Sequence, residues 1–194
     1  ESELKRFSDN VQVQSFKSRA YNNTILNGYN IIASFNPQST EQILLCAHWD
    51  TRPYADYDET ASNLKKPIPG ANDGGSGVGV LLEIGRQINI KKPKVGITIV
   101  LFDLEDYGEP SFDQKGRQNT WCLGSQYWAT NPHDPSFFAN YGILLDMVGA
   151  KDAVFTWEAT SRFYAPNILK KVWNVADELG YGNYFLKKET GPVT

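Results

Sequence analysis

The chain has 194 residues, of which 41% are hydrophobic and 21% are charged, proportions that are ordinary for a globular domain. Its formal net charge of -3 argues against a nucleic-acid or anionic-membrane surface, because such surfaces are basic. Its longest apolar runs have the length of β-strands and are too short to cross a bilayer, so we expect no membrane span.

Periodicity predicts strands and helices along the whole chain. In chain order, these are strands at 11–19, 29–35 and 43–47, a helix at 74–88, a strand at 94–103, a helix at 123–129, strands at 141–147 and 153–157, and a helix at 166–179. The first two strands are expected to form an antiparallel hairpin, with breaks at Asn22-Asn23 and Asn27-Gly28. The polar segments 51–69 and 107–120 are expected to be loops.

Buried strands that alternate with helices predict an α/β fold. We expect a single domain over residues 1–194, a three-layer sandwich around a central mixed sheet that is largely parallel and has an antiparallel edge. The helix at 74–88 begins with small residues, Gly74 to Gly77, which indicates a close approach to the backbone of a neighbouring strand.

Acidic residues and one histidine follow the predicted buried strands or precede the first long helix. They are His48, Asp50, Asp73, Asp103, Glu105, Asp106 and Asp146. Because the carboxyl ends of parallel strands meet at one edge of a sheet, separate segments bring these groups together. Converging carboxylates repel each other unless a cation lies between them, so the pattern predicts a divalent metal. Imidazole and carboxylate ligands suit zinc, or less specifically another divalent transition metal.

Neighbouring carboxylates just beyond a strand can diverge, and the pair Glu105-Asp106 suggests such a division. One carboxylate would bind the metal while the other carries a proton. Simpler roles stay open for other members of the set. Asp73 and Asp103 could each cap a turn or a helix, and Asp50 could hold its turn or orient the neighbouring histidine.

Three other polar or sulfur-containing residues are expected to be structural. His133 lies in a surface turn, and we expect no function for it. Cys46 and Cys122 are the only cysteines, and two buried thiols are the expected state, with a single bridge as the alternative.

Five ordered motifs give the chain a family resemblance over about residues 29–149. They are AHWDT, GANDGGSGVGVLLEIGR, IVLFDLEDYG, LGSQYWA and LLDMVG. This series resembles the zinc aminopeptidases with co-catalytic metals and the related animal-type (type II) glutaminyl cyclases, which have bacterial members. The resemblance implies a phosphorylase/hydrolase-like fold.

The two branches of this family imply different roles for these residues. The aminopeptidase pattern implies two metals, with His48 and Asp146 on the first, Asp73 bridging both, Asp106 on the second and Glu105 as general base. The cyclase pattern implies one zinc, held by Asp73, Asp106 and a distal histidine. Glu105 then shuttles a proton, and Asp146 supports the leaving amide.

Two departures from the aminopeptidase pattern matter. The aminopeptidases usually have Glu-Glu where this chain has Glu105-Asp106, which favours the cyclase pattern. No histidine follows Asp146, whereas the family's last metal-binding histidine lies well downstream. The resemblance therefore implies that residues 1–194 lack one zinc ligand and the final strands of the sheet, so that the catalytic domain is incomplete at its C-terminal end.

The preferred hypothesis is a zinc-dependent glutaminyl-peptide cyclotransferase that acts on peptide or protein N-termini. The alternatives are a zinc aminopeptidase with two metals and a catalytically inactive binding module of the same fold. Trp49 and Trp121 are expected to wall a small, dry substrate pocket. The resemblance also implies a periplasmic or secreted location.

Overall fold

A computed structural model describes residues 1–192 and divides the chain into two compact units, Glu1–Val148 and a second unit that begins at Gly149. The first unit contains α1 (Ser2–Lys5), β1 (Asn10–Arg19), β2 (Ile25–Phe35), β3 (Gln42–His48), α2 (Gly75–Ile90), β4 (Gly96–Phe102), a 3-10 turn (Ser111–Asp113), α3 (Leu123–Thr130) and β5 (Tyr141–Leu144). The second contains β6 (Phe155–Trp157), α4 (Ala159–Tyr164), α5 (Pro166–Glu178) and β7 (Phe185–Glu189). The single catalytic domain over residues 1–194 stays a prediction.

The first unit is built around a five-stranded sheet in the order β1-β2-β4-β3-β5. Strands β1 and β2 pair antiparallel, as do β2 and β4. Strand β3 pairs parallel with both β4 and β5. The predicted mixed sheet with an antiparallel edge is therefore confirmed, and its parallel part consists of β3, β4 and β5.

Alternating side chains of β3 and β4 build two separate cores. On one face, Leu45 and Ile99 pack with Leu81 of α2, and Ile99 and Leu81 are fully buried. On the other face, Cys46 and Val100 pack with the ring of Trp128 from α3. Fully burying each such aliphatic side chain contributes about 1.5–3 kcal/mol. Helices thus cover both faces of the sheet, as the predicted three-layer arrangement requires.

The start of α2 lies directly against the segment that follows β5. A Cβ atom placed on Gly77 would lie 2.2 Å from the backbone oxygen of Leu145. The hydroxyl of Ser76 accepts a hydrogen bond from the backbone N–H of Val148 at 3.0 Å. The close approach predicted from the small residues is confirmed, and it fixes the turn before α2 relative to β5.

Three predicted strands differ from those observed. Strand β2 begins at Ile25, before the predicted break at Asn27-Gly28, because the ladder with β1 continues through that pair and outweighs its turn propensity. Strand β5 ends at Leu144 and is only half-buried. The predicted buried strand at 153–157 is wrong in its burial: β6 is a short, half-buried strand.

The second unit pairs β6 with β7 in a two-stranded parallel sheet. Trp173 of α5 packs edge-on against Phe185, and its indole N–H donates to the carbonyl of Leu186 at 3.0 Å. Proline at the first position of α5 and Gly180 with φ +84° after its end match the predicted limits of this helix. No helix within residues 1–192 is long and apolar enough to span a membrane.

Candidate metal and catalytic site

The structure brings the predicted acidic residues and His48 together at the carboxyl edge of the parallel strands. His48 is the last residue of β3, Glu105 and Asp106 lie just beyond β4, and Asp146 lies just beyond β5. Asp73 enters from the turn before α2. The topology explains this convergence, because β3 lies between β4 and β5 and runs parallel to both.

His48 lies at the centre of the cluster with its side chain 1% exposed. Its Nε2 atom is 3.0 Å from Oδ1 of Asp73 and 3.3 Å from Oδ1 of Asp146. Its Nδ1 atom is 3.5 Å from Oδ1 of Asp50 and 3.9 Å from Oδ2 of Asp106. Both ring nitrogens therefore face carboxylates, two on each side.

The proximity of these groups strongly affects their ionisation. Burial raises the pKa of Glu105 to about 7, against the attraction of His48 and with the repulsion of Asp146 and other nearby acids. Burial and neighbouring acids raise the pKa of Asp106 to about 6. Burial alone would lower the pKa of His48, but the facing carboxylates of Asp146 and Asp50 and the charges of the acidic pair raise it to about 11. Positive charge at the cluster is therefore favoured.

Asp50 fixes the backbone of the acidic pair. Its Oδ1 accepts a hydrogen bond from the N–H of Glu105 and its Oδ2 accepts one from the N–H of Asp106, each at 3.0 Å. One carboxylate thus holds two successive peptide groups. Asp50 was expected to hold its own turn, whereas it holds the turn after β4 instead; its 3.5 Å separation from His48 suits the orienting role.

The two neighbouring carboxylates enter different groups of potential metal ligands. Ligand atoms lie within 4.8 Å of one another in two sets among the described residues: His48, Glu105 and Asp146, and His48, Asp73 and Asp106. Because Glu105 and Asp106 belong to different sets, one can bind a cation while the other stays available for proton transfer.

Two orphaned polar atoms show that the cluster fits a cation. Within residues 1–192, His48 Nδ1 and Asp106 Oδ2 are buried and have no hydrogen-bond partner. Such atoms are costly to bury unless a proton or an ion satisfies them. Atoms that bind one zinc at about 2.0–2.2 Å lie roughly 3–4 Å apart, as the nitrogens of His48 and the facing carboxylate oxygens do.

Asp103 does not belong to either set of ligands. Its carboxylate accepts hydrogen bonds from the N–H groups of Tyr29 and Leu104, at 2.8 and 2.9 Å, and is buried. The simpler of its two roles, as a residue that holds the loop after β4, therefore accounts for its contacts.

The two tryptophans predicted to wall a pocket are both partly exposed. Trp49 follows His48 directly, is 42% exposed and donates its indole N–H to the carbonyl of Tyr29 at 3.0 Å. Trp121 is 40% exposed, and the next residue, Cys122, donates its N–H to the carbonyl of Glu105 at 2.9 Å. The Trp49 side chain is thus held by a hydrogen bond, Trp121 is placed next to Glu105 by the backbone, and the pocket role of both stays a prediction.

The remaining histidine and the cysteines are accounted for by packing. His133 stacks on Trp128 and accepts its indole N–H at 3.2 Å, a half-buried structural position. Cys46 is a buried free thiol and Cys122 a half-buried one, so the bridge left open by the sequence does not form, and only one of the two thiols is buried as expected.

One buried charged residue of the site region was missed by the sequence analysis. Arg52 lies in the polar segment after β3 and is 7% exposed, whereas we expected that segment to be a surface loop. It donates to the carbonyl of Asp106 at 2.7 Å and forms an ion pair with Asp56 at 2.7 Å. The only sequence signal was an arginine four residues before an aspartate, a spacing too common to indicate burial.

Comparison with known proteins places this site in a family. The profile of Peptidase family M28 matches residues 30–192. The chain is similar to a zinc-dependent exopeptidase from Parabacteroides distasonis, with 51% identity and a TM-score of 0.97 over 100% of this chain and 66% of that one. It is also similar to a glutaminyl cyclase from Tannerella forsythia, with 52% identity and a TM-score of 0.96 over 100% of this chain and 66% of that one.

A curated relative is similar to the chain at lower identity. The glutaminyl-peptide cyclotransferase of Drosophila melanogaster is 27% identical over 163 residues, which are 79% of this chain and 42% of that protein. The chain thus spans less than half the length of this relative and about two thirds of the length of the two solved structures.

Proposed function

The chain belongs to Peptidase family M28, and we propose that it carries the catalytic groups of a zinc-dependent glutaminyl-peptide cyclotransferase. Such an enzyme converts an N-terminal Gln of a peptide or protein to pyroglutamate and releases ammonia. Similarity to a named glutaminyl cyclase over the whole chain supports this activity. The structural observation on which the proposal depends is that Glu105 and Asp106 belong to different sets of potential ligands.

Asp73 and Asp106 would hold the zinc, and the cyclase pattern implies a further histidine ligand, which the resemblance assigns to neither His48 nor His133. When bound, the zinc would supply positive charge that polarises the side-chain carbonyl of the substrate's Gln. Asp50 holds the backbone of Asp106 and so fixes the direction of its carboxylate.

Glu105 would carry the proton through the reaction. The substrate's α-amine nitrogen bonds to the side-chain amide carbon while the Glu105 carboxylate accepts a proton from that amine. The C–N bond to the leaving nitrogen then breaks as Glu105 returns the proton, and ammonia departs. In the metal-free protein, burial raises the pKa of Glu105 to about 7, which is in the range that suits a group that accepts and returns a proton near neutral pH.

Asp146 would orient the leaving amide. It shares the ligand set that contains Glu105, so a substrate amide beside Glu105 can donate its N–H groups to the Asp146 carboxylate. The direction of the amide fixes which face of its carbon meets the attacking amine. The partly exposed rings of Trp49 and Trp121 would exclude water from this space, which an intramolecular cyclisation does not need.

A zinc aminopeptidase with two metals is the second candidate, favoured by the position of His48. Its Nε2 lies 3.0 and 3.3 Å from oxygens of Asp73 and Asp146, which are distances for ligands of one additional ion. Similarity to a named zinc-dependent exopeptidase supports this candidate too. A peptidase would activate water, and its product would be a free amino acid rather than a cyclised peptide.

Product analysis on the full-length, zinc-loaded protein separates the two. We expect a Gln-initiated peptide to lose one ammonia, and matched Leu- and Ala-initiated peptides to stay intact. Release of free amino acids from the Leu- and Ala-initiated peptides, without cyclisation of the Gln peptide, would favour the aminopeptidase instead.

A further inference from the structure

Arg52 is a buried cation beside the acidic pair that no step of the proposed reaction uses. Its guanidinium binds Asp56 in a bidentate pair, from Nε to Oδ1 at 3.0 Å and from Nη2 to Oδ2 at 2.7 Å. The Asp56 Oδ2 atom also accepts the N–H of Ser111 at 2.8 Å. The pair therefore joins the loop after β3 to the loop after β4.

The third guanidinium nitrogen holds the turn that carries the proposed zinc ligand. Arg52 Nη1 donates to the carbonyl of Asp106 at 2.7 Å and to the carbonyl of Gly108 at 3.1 Å. Only a planar fork with several fixed donors can make both these bonds and the bidentate ion pair, so lysine cannot replace it.

The same guanidinium packs against the indole of Trp121. The Cζ atom of Arg52 is 4.3 Å from the centre of the ring. Gly108 lies against the same ring, since a Cβ atom placed there would be 2.0 Å from ring atoms. The indole therefore packs against Gly108 in the turn that begins at Asp106, while 40% of Trp121 is exposed.

We propose that Arg52 is a positioning residue that fixes Trp121 relative to the Glu105-Asp106 turn, so that the exposed part of the indole binds the carboxamide side chain of the substrate's N-terminal residue. A flat aromatic ring can pack against a planar amide. How well this contact orients the amide for the reaction depends on the distance between the ring and the reacting atoms. This inference rests on the proposed cyclotransferase function for its substrate.

The first test is Arg52→Lys in the full-length, zinc-loaded protein. With zinc held at a concentration that saturates both proteins, we expect KM for a Gln-initiated peptide to rise about tenfold and kcat to stay within about threefold of wild type. The matched control is Arg86→Lys, because Arg86 is also paired with a carboxylate, that of Glu83, but lies exposed on α2. Equal KM values for the two variants would overturn the inference.

A double variant shows whether Arg52 acts through Trp121. Trp121→Leu alone should raise KM about tenfold, and Arg52→Lys added to it should raise KM by less than about twofold more. Multiplying effects would contradict the proposal. If Arg52→Lys does not fold, Trp121→Leu alone decides the matter, and an unchanged KM for the Gln peptide overturns the wall role.

Hydrogen–deuterium exchange separates this inference from the proposed function. Arg52→Lys should speed exchange in peptides that cover residues 106–122 and leave those of α2 unchanged. Exchange like that of wild type in residues 106–122 would refute the positioning role. If wild type forms no pyroglutamate, the cyclotransferase proposal fails, while the exchange result still decides whether Arg52 holds this segment.

Discussion

Replacement of Asp50 by Asn tests how the site presents its two neighbouring carboxylates. Asp50 accepts one backbone N–H from Glu105 and one from Asp106, each at 3.0 Å. Asn keeps one acceptor oxygen and places an NH2 group against the other N–H. One hydrogen bond is lost, and two donors then face each other.

The structure sets the size of the expected effect. A hydrogen bond to a charged group contributes about 1.5–3 kcal/mol, so Asp50→Asn should lower the free energy of unfolding by about 2 kcal/mol. Because the same peptide groups direct the carboxylates of Glu105 and Asp106, zinc affinity should fall by about 10- to 100-fold. Chemical denaturation and competition with a zinc chelator, both on the full-length protein, measure the two quantities.

Asp103→Asn is a matched control, because Asp103 also accepts two backbone N–H groups, from Tyr29 and Leu104, at 2.8 and 2.9 Å. It belongs to neither set of potential ligands among the described residues. We expect a similar loss of stability with zinc affinity unchanged. If Asp50→Asn binds zinc as tightly as Asp103→Asn does, the reasoning about the turn is refuted.

Three further predictions concern catalysis, packing and pH. Glu105→Gln should lower kcat by about 10²- to 10⁴-fold and keep its zinc, and wild-type activity in this variant would exclude the proton-carrying role. Asp106→Ala should lose zinc in elemental analysis, and full metal content in this variant would exclude Asp106 as a ligand. Gly77→Ala should lower the free energy of unfolding, measured in urea, by about 1–3 kcal/mol, because its Cβ atom would lie 2.2 Å from a backbone oxygen. Gly79→Ala is the control and should stabilise the protein slightly, because the space around Gly79 is open. Equal effects of the two substitutions would contradict this packing. Without metal, the pKa values of Glu105, Asp106 and His48 are all raised, so the folded chain binds more protons than the unfolded one. The contribution of the two carboxyls to stability should be lost between about pH 4 and 7, and that of His48 above about pH 6.5. The metal-free protein should therefore melt at a lower temperature at pH 8 than at pH 5. A higher melting temperature at pH 8 would contradict these pKa shifts.

Much of the site could be predicted because its residues follow strong strand patterns. The apolar runs before His48, Glu105 and Asp146 predict buried strands, and the rule that parallel strands end at one edge then brings these side chains together. Asp73 follows no strand, and its position was predicted from a different signal. The small residues after it allow α2 to lie close to the neighbouring strand. The ordered motifs added the family resemblance, which the match to the profile of Peptidase family M28 confirms.

Other features depend on tertiary contacts that no local pattern records. The burial of Arg52 depends on Asp56 and on carbonyls more than 50 positions away in the chain. The continuation of β2 through Gly28 depends on its pairing with Phe16. The half-buried state of β6 depends on its pairing with β7, which lies beyond two intervening helices. The pocket role of the tryptophans and the periplasmic or secreted location stay predictions.

We propose that the cluster divides into a zinc-binding side and a proton-carrying side, with Asp106 on the first and Glu105 on the second. The number of zinc ions bound by the full-length protein, measured by elemental mass spectrometry after dialysis, tests it most directly. One zinc per chain is the predicted result, and it leaves Glu105 free to carry the proton. Two zinc ions per chain would contradict the claim and favour the aminopeptidase.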